Sequence, residues 1–143
     1  MISERPDFTP WNELETLSLP FFDVGVNAGL PGYVGQPLQE NIDLQRELVQ
    51  HPGQTFVVRV NGQSMVGAGI DGGDLLVVDK ALPARDQHIV LAVIDGEYTV
   101  KRLVKKENVL YLKPENPDYP LITVQEQSDF RIWGVVTGVI KKL

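Results

Sequence analysis

Ile89-Val-Leu-Ala-Val-Ile-Asp95-Gly96-Glu-Tyr-Thr-Val-Lys101-Arg-Leu103 is the stretch that decides the fold. Two runs rich in β-branched and apolar residues flank a single Asp-Gly pair. That pair is a strong two-residue hairpin signal, because the favoured turn needs positive φ at both central positions. The first run, Ile89–Ile94, is short and rich in β-branched residues, as expected of a strand. The second run, Glu97–Val104, carries Lys101 in its middle, where lysine is disfavoured in a strand and rarely buried.

The same pattern extends outward along the chain. Phe56–Val60, Leu75–Asp79, Val109–Lys113, Ile122–Val124 and Phe130–Ile140 are short, β-rich and separated by turn residues. One helix is expected over Asn41 to His51. Leu44, Leu48 and Val49 give it an apolar face, Asp43 an N-cap, and Pro52-Gly53 a stop. Residues 1–40 differ from the rest. They hold Pro6, Pro10, Pro20, Pro31 and Pro37 together with glycines at 25, 29, 32 and 35, which argues against long regular elements. The expected organisation is an extended N-terminal arm, residues 1–40, and a mainly β, compact domain, residues 41–143.

Composition narrows the chemistry. The 143 residues include no cysteine, so thiol catalysis, disulfides and thiolate metal sites are absent. Two histidines without cysteine argue against a dedicated zinc site, and no metal or cofactor is expected. No run reaches the roughly 18 to 20 apolar residues of a membrane span, and the N-terminus does not read as a secretory signal. A cytoplasmic protein is expected. The formal net charge is −6. Residues 1–28 contribute −4 of it, through Glu4, Asp7, Glu13, Glu15 and Asp23 against Arg5. Phosphate backbones call for a basic footprint, so no direct nucleic-acid binding is expected, and any link to nucleic acid should run through a protein partner.

Ser64 follows the strand in Phe56-Val-Val-Arg-Val-Asn-Gly-Gln-Ser-Met65 and opens a glycine-rich segment ending at Asp74. A serine at such a junction can be an exposed nucleophile with backbone N–H groups close to a developing oxyanion. It can equally cap or hydrogen-bond the backbone. Lys101 has an ordinary reading too, as a solvated lysine on a hairpin face. The catalytic reading requires an apolar site. A general base near pH 7 must come down from about 10.4, a change worth about 4 to 5 kcal/mol. Burial supplies effects of that size. Arg102 cannot replace it, because a guanidinium stays protonated. His51 and His88 read as surface residues, and nothing in the sequence places either beside Ser64. A serine activated by a buried lysine, with an Ala28-Gly29 pair in a loose arm, suggests a protease that cuts its own chain.

Several motifs carry a family resemblance. They are Ala28-Gly29, Ile42-Asp-Leu44, Gln50-His-Pro52, Gly62-Gln-Ser-Met65, Asp71-Gly-Gly-Asp-Leu-Leu-Val-Val-Asp79 and Asp95-Gly-Glu-Tyr-Thr-Val-Lys101, with Phe130 to Val136 as a terminal strand. In order and spacing the chain resembles the UmuD family of SOS mutagenesis proteins. More broadly it is similar to the self-cleaving domain of LexA and phage repressors. The resemblance implies Ser64 as nucleophile, Lys101 as base and Ala28-Gly29 as the scissile bond. It also implies a homodimer, stimulation by a RecA filament on single-stranded DNA, and assembly with a Y-family, UmuC-like polymerase subunit in translesion synthesis.

Only 28 residues lead up to the Ala28-Gly29 bond, and they are proline-rich, so a repressor with a helix-turn-helix domain is not expected. Signal peptidases share the Ser-Lys chemistry but need a membrane anchor. Thr16-Leu-Ser-Leu-Pro-Phe-Phe22 is similar to peptides that dock on the bacterial sliding clamp, with Thr16 where glutamine is usual; alternatively its apolar residues pin the arm to the body. Two other functions remain open at this stage: a non-catalytic polymerase-binding module, and a peptidase acting on other proteins.

Overall fold

The computed structural model describes residues 18–23, 28, 29, 31 and 38–143. In chain order these form β1 (Ser18–Asp23), β2 (Leu38–Asp43), α1 (Leu44–Leu48), β3 (Thr55–Arg59), β4 (Leu75–Asp79), β5 (Ile89–Ile94), β6 (Glu97–Lys106), β7 (Val109–Lys113), β8 (Ile122–Thr123) and β9 (Phe130–Ile140). A 3-10 turn, Val66–Ala68, lies between β3 and β4. The protein is mainly β, as the sequence predicts.

Seven strands make one antiparallel sheet in the order β3-β4-β9-β5-β6-β7-β8. The last long strand, β9, lies between β4 and β5, so the middle of the sheet is completed late in the sequence. The register of β9 shifts opposite Leu91/Ala92 and again opposite Val77/Val78. Each irregularity passes over one residue of β9, Trp133 and Thr137. Bulges of this kind bend a strand and increase its twist. Gly134 follows the first one. A Cβ there would stand 2.7 Å from Val78 Cγ1 and 2.9 Å from the Asp79 carbonyl oxygen.

The hairpin between β5 and β6 turns at Asp95 (φ 49°) and Gly96 (φ 84°), both left-handed as that turn requires. A second two-residue turn, at Glu107 (φ 51°) and Asn108 (φ 66°), joins β6 to β7 without a glycine. Two apolar clusters flank the sheet. One gathers Met65, Ile70, Leu76, Val78 and Leu91. The other gathers Val90, Ala92, Leu103 and Leu112. Alternation along β5 explains the division, since Leu91 faces one cluster while Val90 and Ala92 face the other.

The helix is shorter than its sequence suggests. Residues 41–43 finish β2, which pairs antiparallel with β1 in a separate two-stranded sheet. Asp43 does cap the helix, accepting the Gln45 N–H at 3.0 Å. Val49, already extended at φ −122°, ends it before Pro52 is reached. With little more than one turn the helix cannot bury a full face: Val49 is buried, Leu48 half-buried and Leu44 exposed. The proline-rich segment contributes two six-residue strands that periodicity did not reveal. Thr16 and Leu17 of the clamp-like peptide lie outside the described residues; Ser18 to Phe22 belong to β1.

Gly134→Ala forces Val78 and the Asp79 backbone apart where three strands meet. It should destabilise the fold by about 1 to 3 kcal/mol, as overpacking of a filled core does. Denaturant unfolding followed by tryptophan fluorescence will measure it. Gly29→Ala, with nothing within 4 Å of the added methyl, should leave the midpoint unchanged.

Candidate active site

The loop after β3 is shaped by what its neighbours bury. Met65 and Ile70 are almost fully enclosed in the first apolar cluster. Between them the chain makes the 3-10 turn, with Ala68 N–H on the Met65 carbonyl at 3.0 Å and Ile70 N–H on the same oxygen at 3.2 Å. Gly69, at φ 80°, ends that turn. Ser64 immediately precedes Met65, so two anchored apolar side chains hold a half-buried hydroxyl at the rim of the core.

Lys101 reaches this hydroxyl from β6. It lies opposite Val90 of β5, a residue with no exposed surface, and is itself only 8% exposed. Its Nζ is 3.0 Å from Ser64 Oγ, 2.7 Å from Thr99 Oγ1 and 3.1 Å from the Val100 carbonyl oxygen. Among the described residues no carboxylate pairs with it. Burial therefore acts unopposed and pushes its pKa below the ordinary lysine range.

Three oxygens around one nitrogen suit both protonation states. An ammonium donates one N–H to each. A neutral amine has two N–H groups and one lone pair. Thr99 and Val100 can take the two N–H groups, which leaves the lone pair directed at Ser64 to accept its O–H. Thr99 is a residue that the sequence reading passed over. The signal was present: Thr99 and Lys101 are two apart on one strand, so their side chains leave the same face.

The histidines are occupied elsewhere. His51 Nδ1 lies 2.6 Å from Asp79 Oδ2, and the backbone oxygen of His51 accepts the Thr55 hydroxyl at 2.9 Å. The other Asp79 oxygen accepts the Ala81 N–H at 2.8 Å. This pair ties the entry of β3 to the exit of β4. His88 Nδ1 accepts the Arg85 N–H at 3.1 Å within its own turn. Both residues keep part of their surface exposed, with 41% of the His51 side chain accessible, and both rings are hydrogen-bonded to neighbours. Ala28 and Gly29 lie in an exposed bend, with open space where a Gly29 Cβ would stand. The structure thus joins Ser64 to Lys101 and leaves the Ala28-Gly29 bond facing solvent. Among the described residues no group of His, Cys, Asp or Glu is placed to hold a metal ion, and no helix is long and apolar enough to cross a membrane.

A family profile described as Peptidase S24-like matches residues 20–137. Protein SamA of Salmonella typhimurium strain LT2 is 40% identical over 133 residues, which cover 93% of this chain and 92% of that protein. Protein MucA of Escherichia coli is 38% identical over 121 residues, 84% of this chain and 82% of MucA. The LexA repressor of Paracidovorax citrulli is 40% identical over 116 residues, 81% of this chain but 51% of the repressor, so the chain spans about half the length of that relative.

A lowered lysine pKa has a definite effect on stability. Between the folded pKa and the unfolded value of about 10.4, the unfolded chain holds a proton that the folded chain has released. Folding is therefore strengthened as pH rises through that window, and the cost of burying the charge is felt fully below it. The stability of the wild type relative to Lys101→Met should rise with pH in this window and level off above it. Urea unfolding of both proteins across the alkaline range will test this, and parallel curves would contradict it.

Proposed function

The chain belongs to the Peptidase S24-like family, and from that premise we propose that it is a self-cleaving serine peptidase of the UmuD type. The observation that carries this reading is the 3.0 Å approach of Lys101 Nζ to Ser64 Oγ, at a site where the lysine is buried with no counter-charge among the described residues.

Neutral Lys101 takes the proton of Ser64 as Oγ attacks the Ala28 carbonyl carbon. The negative charge passes to the carbonyl oxygen. Among the described residues, the backbone N–H groups of Ser64 and Met65 take no part in the loop's hydrogen bonds, and they can receive it. Lys101 then gives its proton to the Gly29 nitrogen as the C–N bond breaks, and an ester joins Ala28 to Ser64. Water, deprotonated by the same amine, hydrolyses the ester and regenerates the serine. Because Ala28 and Gly29 face solvent, the arm must move onto the dyad before the cut. That docking step is where regulation can act.

In the fuller proposal, RecA filaments on single-stranded DNA favour the docked arm. The product from Gly29 to Leu143 is a homodimeric accessory subunit of a Y-family, UmuC-like polymerase working in translesion synthesis in the cytoplasm. Likeness to SamA and MucA across most of the chain supports the UmuD-type reading over a repressor. Docking of Ser18–Phe22 and its flanks on a sliding clamp remains part of this proposal; Phe22 is half exposed on β1.

Purified protein incubated at rising pH should yield a fragment of 115 residues beginning at Gly29, identified by mass spectrometry. The rate should climb about tenfold per unit until the Lys101 pKa is passed, because only the neutral amine is a base. RecA, nucleotide and single-stranded DNA should accelerate the cut near neutral pH. Ser64→Ala, Lys101→Ala and Lys101→Arg should each abolish it in folded protein, whereas His51→Ala and His88→Ala should retain it. Cleavage surviving in Ser64→Ala would refute the mechanism.

A further inference from the structure

The serine and the lysine belong to different elements, yet their separation is fixed to hydrogen-bonding distance. The consecutive residues Glu115 and Asn116, which follow β7, grip the serine loop on both sides of the nucleophile. Asn116 Nδ2 donates to the Gln63 carbonyl oxygen at 2.8 Å, one residue before Ser64. The Glu115 carbonyl oxygen accepts the Gly67 N–H at 2.7 Å, three residues after it.

Each end of this grip is itself held. Asn116 Oδ1 accepts the Asp118 N–H at 3.0 Å, which orients the amide so that its nitrogen points at Gln63. Glu115 Oε1 accepts from Arg102 Nε at 2.7 Å, and Arg102 Nη1 donates to the Gln87 carbonyl oxygen at 2.7 Å. Arg102 is the strand neighbour of Lys101. A closed circuit therefore runs from Lys101 to Arg102, to Glu115 and Asn116, to the loop around Ser64, and back to Lys101. Gly67 allows the contact: a Cβ there would stand 2.7 Å from the Glu115 carbonyl oxygen.

We infer that Arg102, Glu115 and Asn116 are positioning residues that hold Ser64 Oγ within reach of Lys101 Nζ. The inference rests on the dyad reading above and extends it to how the dyad is assembled. None of the three touches the reacting atoms. A loosened clamp lets the serine loop lift away. Lys101 then loses the hydroxyl that donates to its neutral form, and water reaches the amine. Both effects favour the ammonium.

The test uses variants that change no charge, so that any movement of the Lys101 titration reports the geometry of the site. Asn116→Ala removes one hydrogen bond, and Gly67→Ala wedges the same junction from the loop side. Neither changes charge. For the wild type and both variants, three quantities should be measured: the self-cleavage rate against pH, the thermal midpoint, and the titration of Lys101 by NMR of its side chain. The expected result in folded variants is a cleavage rate at least tenfold lower at neutral pH, with both the pH profile and the Lys101 titration moved to higher pH. A purely structural role would lower the midpoint and leave the Lys101 titration where it is. Wild-type rates and titration in both folded variants would overturn the clamp, and if one variant fails to fold the other decides. Should the wild type prove unable to cleave, the proposed function fails, while the Lys101 titration still judges the clamp.

Discussion

An amine buried with no opposing charge among the described residues is the constraint on which this site depends. A lysine in an apolar wall costs the fold stability whenever it is protonated. A carboxylate beside it would relieve that cost and also hold the proton in place, which would spoil the base. The surroundings of Lys101 take another course: a hydroxyl, a carbonyl oxygen and the Ser64 hydroxyl satisfy its hydrogen-bonding directions without fixing its charge. Stability is surrendered locally, and burial holds the lysine below its ordinary pKa range. Other carboxylates of the domain are committed elsewhere, Glu115 to Arg102 and Asp71 and Asp74 to Lys141. That last pairing lowers the pKa of Asp74, mainly through the Lys141 hydrogen bond, and raises that of Lys141.

Support for the dyad is spread over distant parts of the chain. β6 brings Lys101, the loop after β3 brings Ser64, and in the proposed clamp the segment after β7 sets the gap between them. The His51–Asp79 pair lies apart from this arrangement and fastens β3 to β4. A histidine bonded to a buried carboxylate resembles two-thirds of a triad, but here it is a brace. Geometry distinguishes the two roles where residue type alone does not.

Much of this was legible in the sequence because short β-branched, apolar runs between turn residues mark strands. Leu75–Asp79, Ile89–Ile94, Val109–Lys113 and Phe130–Ile140 occur where that composition and the turn residues placed them. Asp95-Gly96 announced its hairpin, whereas Glu107 and Asn108 turn without a glycine to mark them. The oddity of a mid-strand lysine was readable too, although only its burial and its serine partner make it a candidate base. β1 and β2 were hidden because proline and glycine mask strand character, and their pairing depends on residues about twenty positions apart. Asn116 and Glu115 were hidden for a related reason. Their role lies in contacts some fifty residues away, and no local period records such a contact.

The position of β9 also bears on when the molecule can first act. During synthesis β3 to β8 emerge before it, yet β4 and β5 share no direct ladder and are joined only through β9. The strand beside the serine loop and the strand beside the lysine hairpin are therefore held in one sheet only after residues 130–140 have left the ribosome. Domains fold as units, and pairing between distant strands is slow because loop closure precedes the gain from contacts. A nascent chain thus carries its arm, its serine and its lysine without the frame that aligns them. Topology acts as a timer, and translation itself delays the alignment of Ser64 with Lys101.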